Sequence, residues 1–267
     1  MYQSHWGLRE TPFRAWLDPR FFYQSPAHEE ALARLHFLVE QRRRVGLLMG
    51  EPGSGKSLLL QVFAHEMRHA GRPVAAVNLL GLDQAGLLWQ LAVGFGLTPD
   101  PSEGPAAFWQ MAVDRIAEFR YQQVETVVLL DDADRATPEA ITLATRLAQH
   151  DLSPESRLTL VLAGRHEQMG RIGRTLLELA ELRIDLEPWQ QADTEAYLKD
   201  AMSKAGGSAA VFDASAVARL HELAHGIPRR INHLADLALV AGAGQNLTQI
   251  DAGTIESVYH ELGVIQV

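Results

Sequence analysis

The stretch Gly50-Glu51-Pro52-Gly53-Ser54-Gly55-Lys56-Ser57-Leu58 combines residue types that can hold a phosphate chain. Its glycines let consecutive backbone N–H groups turn inward around one point, and a helix beginning at the end of the run adds its positive dipole. The Lys56 ammonium is then within reach of β- and γ-phosphates, and the Ser57 hydroxyl is a hard oxygen ligand for magnesium. Lysine is scarce here: it accounts for three of the 24 basic residues, and Lys56 is the only one before Lys199.

A second constellation lies further along, at Thr126-Val127-Val128-Leu129-Leu130-Asp131-Asp132. Four apolar residues read as a buried strand, and the acids stand where parallel strands deliver ligands, at the C-terminal edge. Asp131 is the expected magnesium-side acid. Asp132 is the expected base that orients and polarises an attacking water.

These groups need a scaffold that brings distant strand ends together. Short apolar runs occur at Val45 to Met49, Val74 to Leu79, Thr126 to Leu130, Leu158 to Ala163 and Leu182 to Leu186, with helix-length segments between them. Such alternation predicts parallel βαβ units whose strands are buried on both faces. After Pro188 the strands stop. Helices are expected at Asp193 to Ala205, Asp213 to His225, Pro228 to Ala241 and Asp251 to Leu262, three of them with an Asp N-cap, and with Gly206 and Gly226 as stop signals. The expected organisation is an aromatic N-terminal arm over 1–27, an α/β nucleotide-binding domain over 28–188 and a helical lid over 189–267. The arm carries Trp6, Phe13, Trp16, Phe21, Phe22 and Tyr23, too many rings to leave in water. Packing on the α/β domain beside the nucleotide is expected for Phe21 to Tyr23, while Trp6 and Trp16 have slack to reach a neighbouring subunit.

Composition narrows the function. With 33 acidic against 24 basic residues the net charge is −9, so duplex DNA would need a local basic patch. No cysteine is present, which removes disulfides, thiolate metal sites and cysteine nucleophiles. No stretch has the length or continuity of a membrane span or the build of a signal peptide, so a cytoplasmic protein without membrane insertion is expected.

The chain also resembles a known group. Trp6-Gly7-Leu8, Pro12-Phe13, Asp18-Pro19-Arg20-Phe21-Phe22-Tyr23 and His28-Glu29-Glu30-Ala31-Leu32 are similar to the opening of general secretion pathway protein A (ExeA-like) AAA+ ATPases. The phosphate loop, Leu129-Leu130-Asp131-Asp132-Ala133, Leu162-Ala163-Gly164 with Glu167, and Gly226-Ile227-Pro228-Arg229-Arg230-Ile231-Asn232 follow in the same order. The resemblance implies an α/β P-loop NTPase of the AAA+ type: a five-stranded parallel sheet with helices on both faces, then a small all-helical lid. ATP and Mg2+ would sit at their boundary, and the subunits would form a ring or helical filament. It further implies that Arg229 touches the γ-phosphate from the lid and that Arg165 stands at the polar sensor position after the fourth strand, where Gln or Thr is usual. Arg171, Arg174 and Arg183 are candidates for an arginine acting on the neighbour's nucleotide, with Arg174 first. Related ATPases often have Glu at the position of Asp132, so a shorter reach here implies a closer water or slow turnover.

Longer members append a membrane segment and a cell-wall-binding domain; the residues of this chain support the motor module. The leading expectation is an oligomeric ATP-hydrolysing motor or switch acting on a protein partner. One alternative is an ATPase that coats DNA, since the layout also resembles regulators of Tn7-like transposons. Another is a weakly hydrolysing, nucleotide-dependent scaffold.

Three further patterns are expected to be ordinary surface. His65-Glu66-Met67-Arg68-His69 and His221-Glu222-Leu223-Ala224-His225 have zinc-peptidase spacing, but the first lies on the helix that the phosphate loop opens with no third ligand at the usual interval, and the second ends at the Gly226 stop signal. Both read as solvated helix faces. The triplet Arg42-Arg43-Arg44 reads as a solvated charge run, with a DNA-facing or lumen role as the alternative.

Overall fold

The computed structural model describes residues 2–13, 19 and 22–265. In chain order the elements are α1 (Tyr2–Trp6), α2 (Pro26–Glu40), β1 (Val45–Gly50), α3 (Lys56–His69), β2 (Val74–Asn78), α4 (Gln84–Gly94) and α5 (Pro105–Tyr121). They continue with β3 (Thr126–Asp131), α6 (Pro138–Ala148), β4 (Leu158–Gly164), α7 (Arg174–Leu179) and β5 (Leu182–Leu186). Four helices close the chain: α8 (Gln191–Lys204), α9 (Ala214–Ala224), α10 (Pro228–Gly244) and α11 (Ala252–Ile265).

The strands form one five-stranded parallel sheet in the order β2-β3-β4-β1-β5. Successive side chains of a strand point to opposite faces, so a strand covered on both sides must be apolar throughout. Leu47 and Met49 pack with Val128, Leu130, Leu160 and Leu162 against α4, α5 and α6. Leu48, one residue out of phase, packs with Val127, Leu129 and Val161 against α2 and α3. This is why the runs of β1, β3 and β4 are continuous; β5, at the sheet edge, departs from the expected burial on both faces and alternates, with Arg183 and Asp185 exposed. All five C-terminal ends fall on the same edge, and β4 alone separates β1 from β3, so the phosphate loop and the acids of β3 lie one strand apart.

Helices α8 to α11 enclose a second core built on Leu198, Met202, Leu220, Ile231, Leu239 and Ile255. Pro228 occupies the first turn of α10, and Asp213 caps α9 by accepting from the Ala216 N–H. The start of α8 differs from expectation. It begins two residues before Asp193, with Gln190 as N-cap, and Asp193 sits at the third position, where its carboxylate accepts from the Gln190 N–H in a capping box.

The arm also differs from expectation. Trp6, Leu8 and Phe13 are buried in the helical core, not on the α/β domain and not facing a neighbour. The Trp6 indole N–H donates to the Leu239 carbonyl at 2.8 Å, and Phe13 stacks edge-on to Phe212. The reason is geometric: the grooves between α8, α9, α10 and α11 are apolar and open to residues 2–13, whereas the sheet faces are already filled. Tyr23 packs on Trp189 and Tyr197, and Phe22 lies edge-on to His28. Trp16 and Phe21 lie outside the described residues.

Candidate functional site

The phosphate loop links the end of β1 to the start of α3. Gly53 and Gly55 both have positive φ, 87° and 102°, which L side chains adopt only with strain. Neither has room for a side chain. A Cβ on Gly53 would come 2.8 Å from the Arg229 Cβ, and one on Gly55 would come 2.6 Å from the His28 Nε2. Gly55 caps α3 without a side-chain bond, which leaves the first amides of the helix free for an anion. The Lys56 ammonium donates to the Gly50 and Glu51 carbonyls, both at 2.9 Å, and so spans the loop's mouth. The Ser54 hydroxyl is buried without a partner among the described residues.

A cavity of about 770 Å³ opens between this loop, the sheet edge and helices α8 and α10. Lys56, Ser57, Asp131, Asp132, Arg165 and Arg229 all line it. Burial pulls the Lys56 ammonium below its usual range, opposed by the charges of Asp131, Asp134, Asp132 and Glu51. Burial likewise pushes the Asp131 carboxyl up, opposed by hydrogen bonds from the Ser57 hydroxyl and the Asp132 N–H. A cation and an acid that are both short of solvation suit a ligand bearing phosphates and a divalent ion. The donors offered by Ser57 and Asp131 are hard oxygens, as Mg2+ requires.

Asp132 adopts a left-handed conformation, φ 53°, which directs its carboxylate back toward β2. There the Asn78 amide donates to it at 2.8 Å. Sequence reasoning missed Asn78, although a polar residue at the C-terminal end of an apolar strand is the same signal that exposes Asp131. It missed Asp134 too. This acid is buried two residues past the strand pair, where it accepts from Arg165 Nε at 2.6 Å while its Oδ1 has no partner among the described residues. Arg165 is therefore engaged beside the cavity. From the helical side, the Arg229 N–H donates to the Gly53 carbonyl at 3.2 Å.

The other arginines are elsewhere. Arg174 has a side chain 91% exposed and pairs with Glu178 one turn on. Arg183 pairs with Asp185 and His166, and Arg171 touches Gln168. None of the three lines the cavity. The patterns expected to be solvated faces turn out to be partly engaged. Glu66 accepts from His36 at 2.8 Å, and His221 shares a hydrogen bond with the buried Thr194 at 2.9 Å. In the arginine triplet, Arg42 pairs with Glu125, Arg43 with Glu181, and Arg44 donates to the Leu152 carbonyl.

Residues 39–172 match the AAA domain family. The chain is 28% identical to general secretion pathway protein A of Aeromonas hydrophila over 270 residues, covering 100% of this chain and 49% of that protein. It thus spans about half the length of that curated relative. Among solved structures it is similar to the Orc1 protein of Aeropyrum pernix in complex with DNA, at TM-score 0.69 and 18% identity, covering 96% of this chain and 69% of that one. It is also similar to the RuvB Holliday junction branch migration motor of Thermotoga maritima, at TM-score 0.58 and 14% identity, covering 95% and 74%. At these identities the solved structures speak for the fold. Among the described residues no helix is long and apolar enough to cross a membrane.

Proposed function

Because the chain belongs to the AAA domain family, we propose that it is a Mg2+-dependent ATPase whose nucleotide sits between the sheet edge and helices α8 and α10. The observation that carries this is the convergence of Lys56, Ser57, Asp131, Asp132 and Arg229 on one cavity from three separate parts of the chain. In this reading the amides at the start of α3 and the Lys56 ammonium bind the phosphates, and Arg229 contacts the terminal phosphate from α10. Ser57 and Asp131 hold Mg2+, which when bound neutralises charge on the phosphate oxygens. Asp132 orients the attacking water and takes its proton, held in place by the Asn78 amide. Arg165 sits beside the reacting phosphate, tethered by Asp134.

The cavity wall formed by one chain leaves Arg174 outside it, pointing into solvent. That exposure supports Arg174, ahead of Arg171 and Arg183, as a group delivered to a neighbour's nucleotide in a homo-oligomeric ring or filament. Relatedness to a general secretion pathway protein supports a role in secretion, and the reading extends to a cytoplasmic motor or switch acting on a protein partner in secretion or assembly. The first test is Lys56→Ala. Loss of ATP binding or hydrolysis is expected, and a variant that hydrolyses ATP like the parent refutes the assignment.

A slow-turnover reading is favoured by one observation: the Asp132 carboxylate is short and already bonded to Asn78. Asp132→Glu should raise steady-state turnover if reach limits the rate. An unchanged rate would show that Asp132 is already well placed or is not the base.

A further inference from the structure

His28 lies on α2, outside every nucleotide motif, yet it is 3% exposed and contacts the phosphate loop directly. Its Nε2 lies 3.0 Å from the Ser54 carbonyl oxygen. A carbonyl can only accept, so Nε2 carries the hydrogen and Nδ1 is an acceptor in the neutral ring. Two donors converge on that Nδ1: the Ser25 hydroxyl at 2.7 Å and the Trp189 indole N–H at 3.3 Å. The tautomer is thereby fixed from both sides.

Trp189 belongs to the connector between β5 and α8. Its backbone N–H donates to the Gly226 carbonyl at 2.9 Å, just ahead of α10, whose Arg229 N–H in turn donates to the Gly53 carbonyl. Two consecutive carbonyls of the phosphate loop, Gly53 and Ser54, are therefore held by groups that lead into the C-terminal helices. The bonds close a circuit: Ser54, His28, Trp189, Gly226, Arg229, Gly53. No step of it passes through a bound ligand.

We propose that His28 is a positioning residue that holds the phosphate loop in its anion-binding shape and transmits the placement of the C-terminal helices to that loop through Trp189. This rests on the reading of the loop as the nucleotide site. The loop's amides can point inward only while its carbonyls point outward, and outward carbonyls in a buried position need donors. His28 supplies one from α2, and Trp189 orients the ring that supplies it.

The test measures two quantities on full-length protein: the Kd of a fluorescent ATP analogue with Mg2+, and hydrogen exchange of the amides of residues 53–57 in nucleotide-free protein. His28→Leu leaves the Ser54 carbonyl unpaired and should raise Kd about tenfold and speed loop exchange selectively. His28→Gln places an amide N–H near the Nε2 position and should restore both. Trp189→Phe keeps a ring but removes the N–H, and should raise Kd about threefold. Parent-like binding and exchange in folded His28→Leu overturns the proposal, as does failure of Gln to rescue. Should His28→Leu not fold, parent-like values for Trp189→Phe overturn it instead. If the parent binds no ATP, the functional reading falls, while loop exchange still judges the role of His28.

Discussion

At the scale of the residue, burial governs the titration of the groups around the loop. The His28 ring is held down to about 4 from an ordinary 6.5 by burial, opposed by its hydrogen bond to the Ser54 carbonyl and by the charge of Asp193. Its folded value lies below the unfolded one, so the unfolded chain binds more protons between these limits. The stabilising contribution is complete above pH 6.5 and is lost as pH falls toward 4. Unfolding by urea should therefore show a loss of about 2 kcal/mol between pH 7 and pH 5 that is absent in His28→Gln. Asp134 offers a second check. Asp134→Ala leaves Arg165 without its charged partner at the cavity wall and should cost about 2 kcal/mol in the same assay, with nucleotide turnover reduced. The shared placement of the loop residues and the two strand-end acids on one cavity was legible because it depends on contiguous spacing. His28, Asn78 and Asp134 were not, since each acquires its role from a partner on another element, 26, 54 and 31 residues away.

At the scale of the element, the strands and most helices could be read from the sequence because the doubly covered strands β1, β3 and β4 write themselves as apolar runs and the edge strand β5 as an alternation. The start of α8 could not, because Gln190 and Asp193 divide the capping task that a lone Asp was expected to perform. Asp193→Ala should lower stability by about 1 kcal/mol in denaturant unfolding, since it removes half of that box. The placement of α1 was equally hidden. Nothing in a short aromatic segment states which apolar groove will receive it. Trp6→Ala should cost about 3–5 kcal/mol in thermal or denaturant unfolding, through a buried indole and its bond to Leu239. Parent-like stability would mean that α1 does not occupy the groove between the late helices.

At the scale of the whole molecule, the arm changes what truncation should do. Removal of residues 2–13 uncovers the core of α8 to α11, so the expected result is a C-terminal region cut readily by protease. Loss of oligomer contacts with a protease-resistant monomer would instead restore an intersubunit role for the arm. The Trp6 contact with Leu239 also has a consequence in time, because the two residues are separated by 233 positions of chain. A ribosome adding about 5–20 residues per second takes roughly 10–50 s to make that interval. Through all of it Trp6 lacks the groove it enters, and stays available to chaperones or to other nascent chains. The nucleotide-binding sheet is finished well before then, at β5. Synthesis thus delivers a complete sheet before the helices that close over it, and those helices are sealed by a segment made ahead of both.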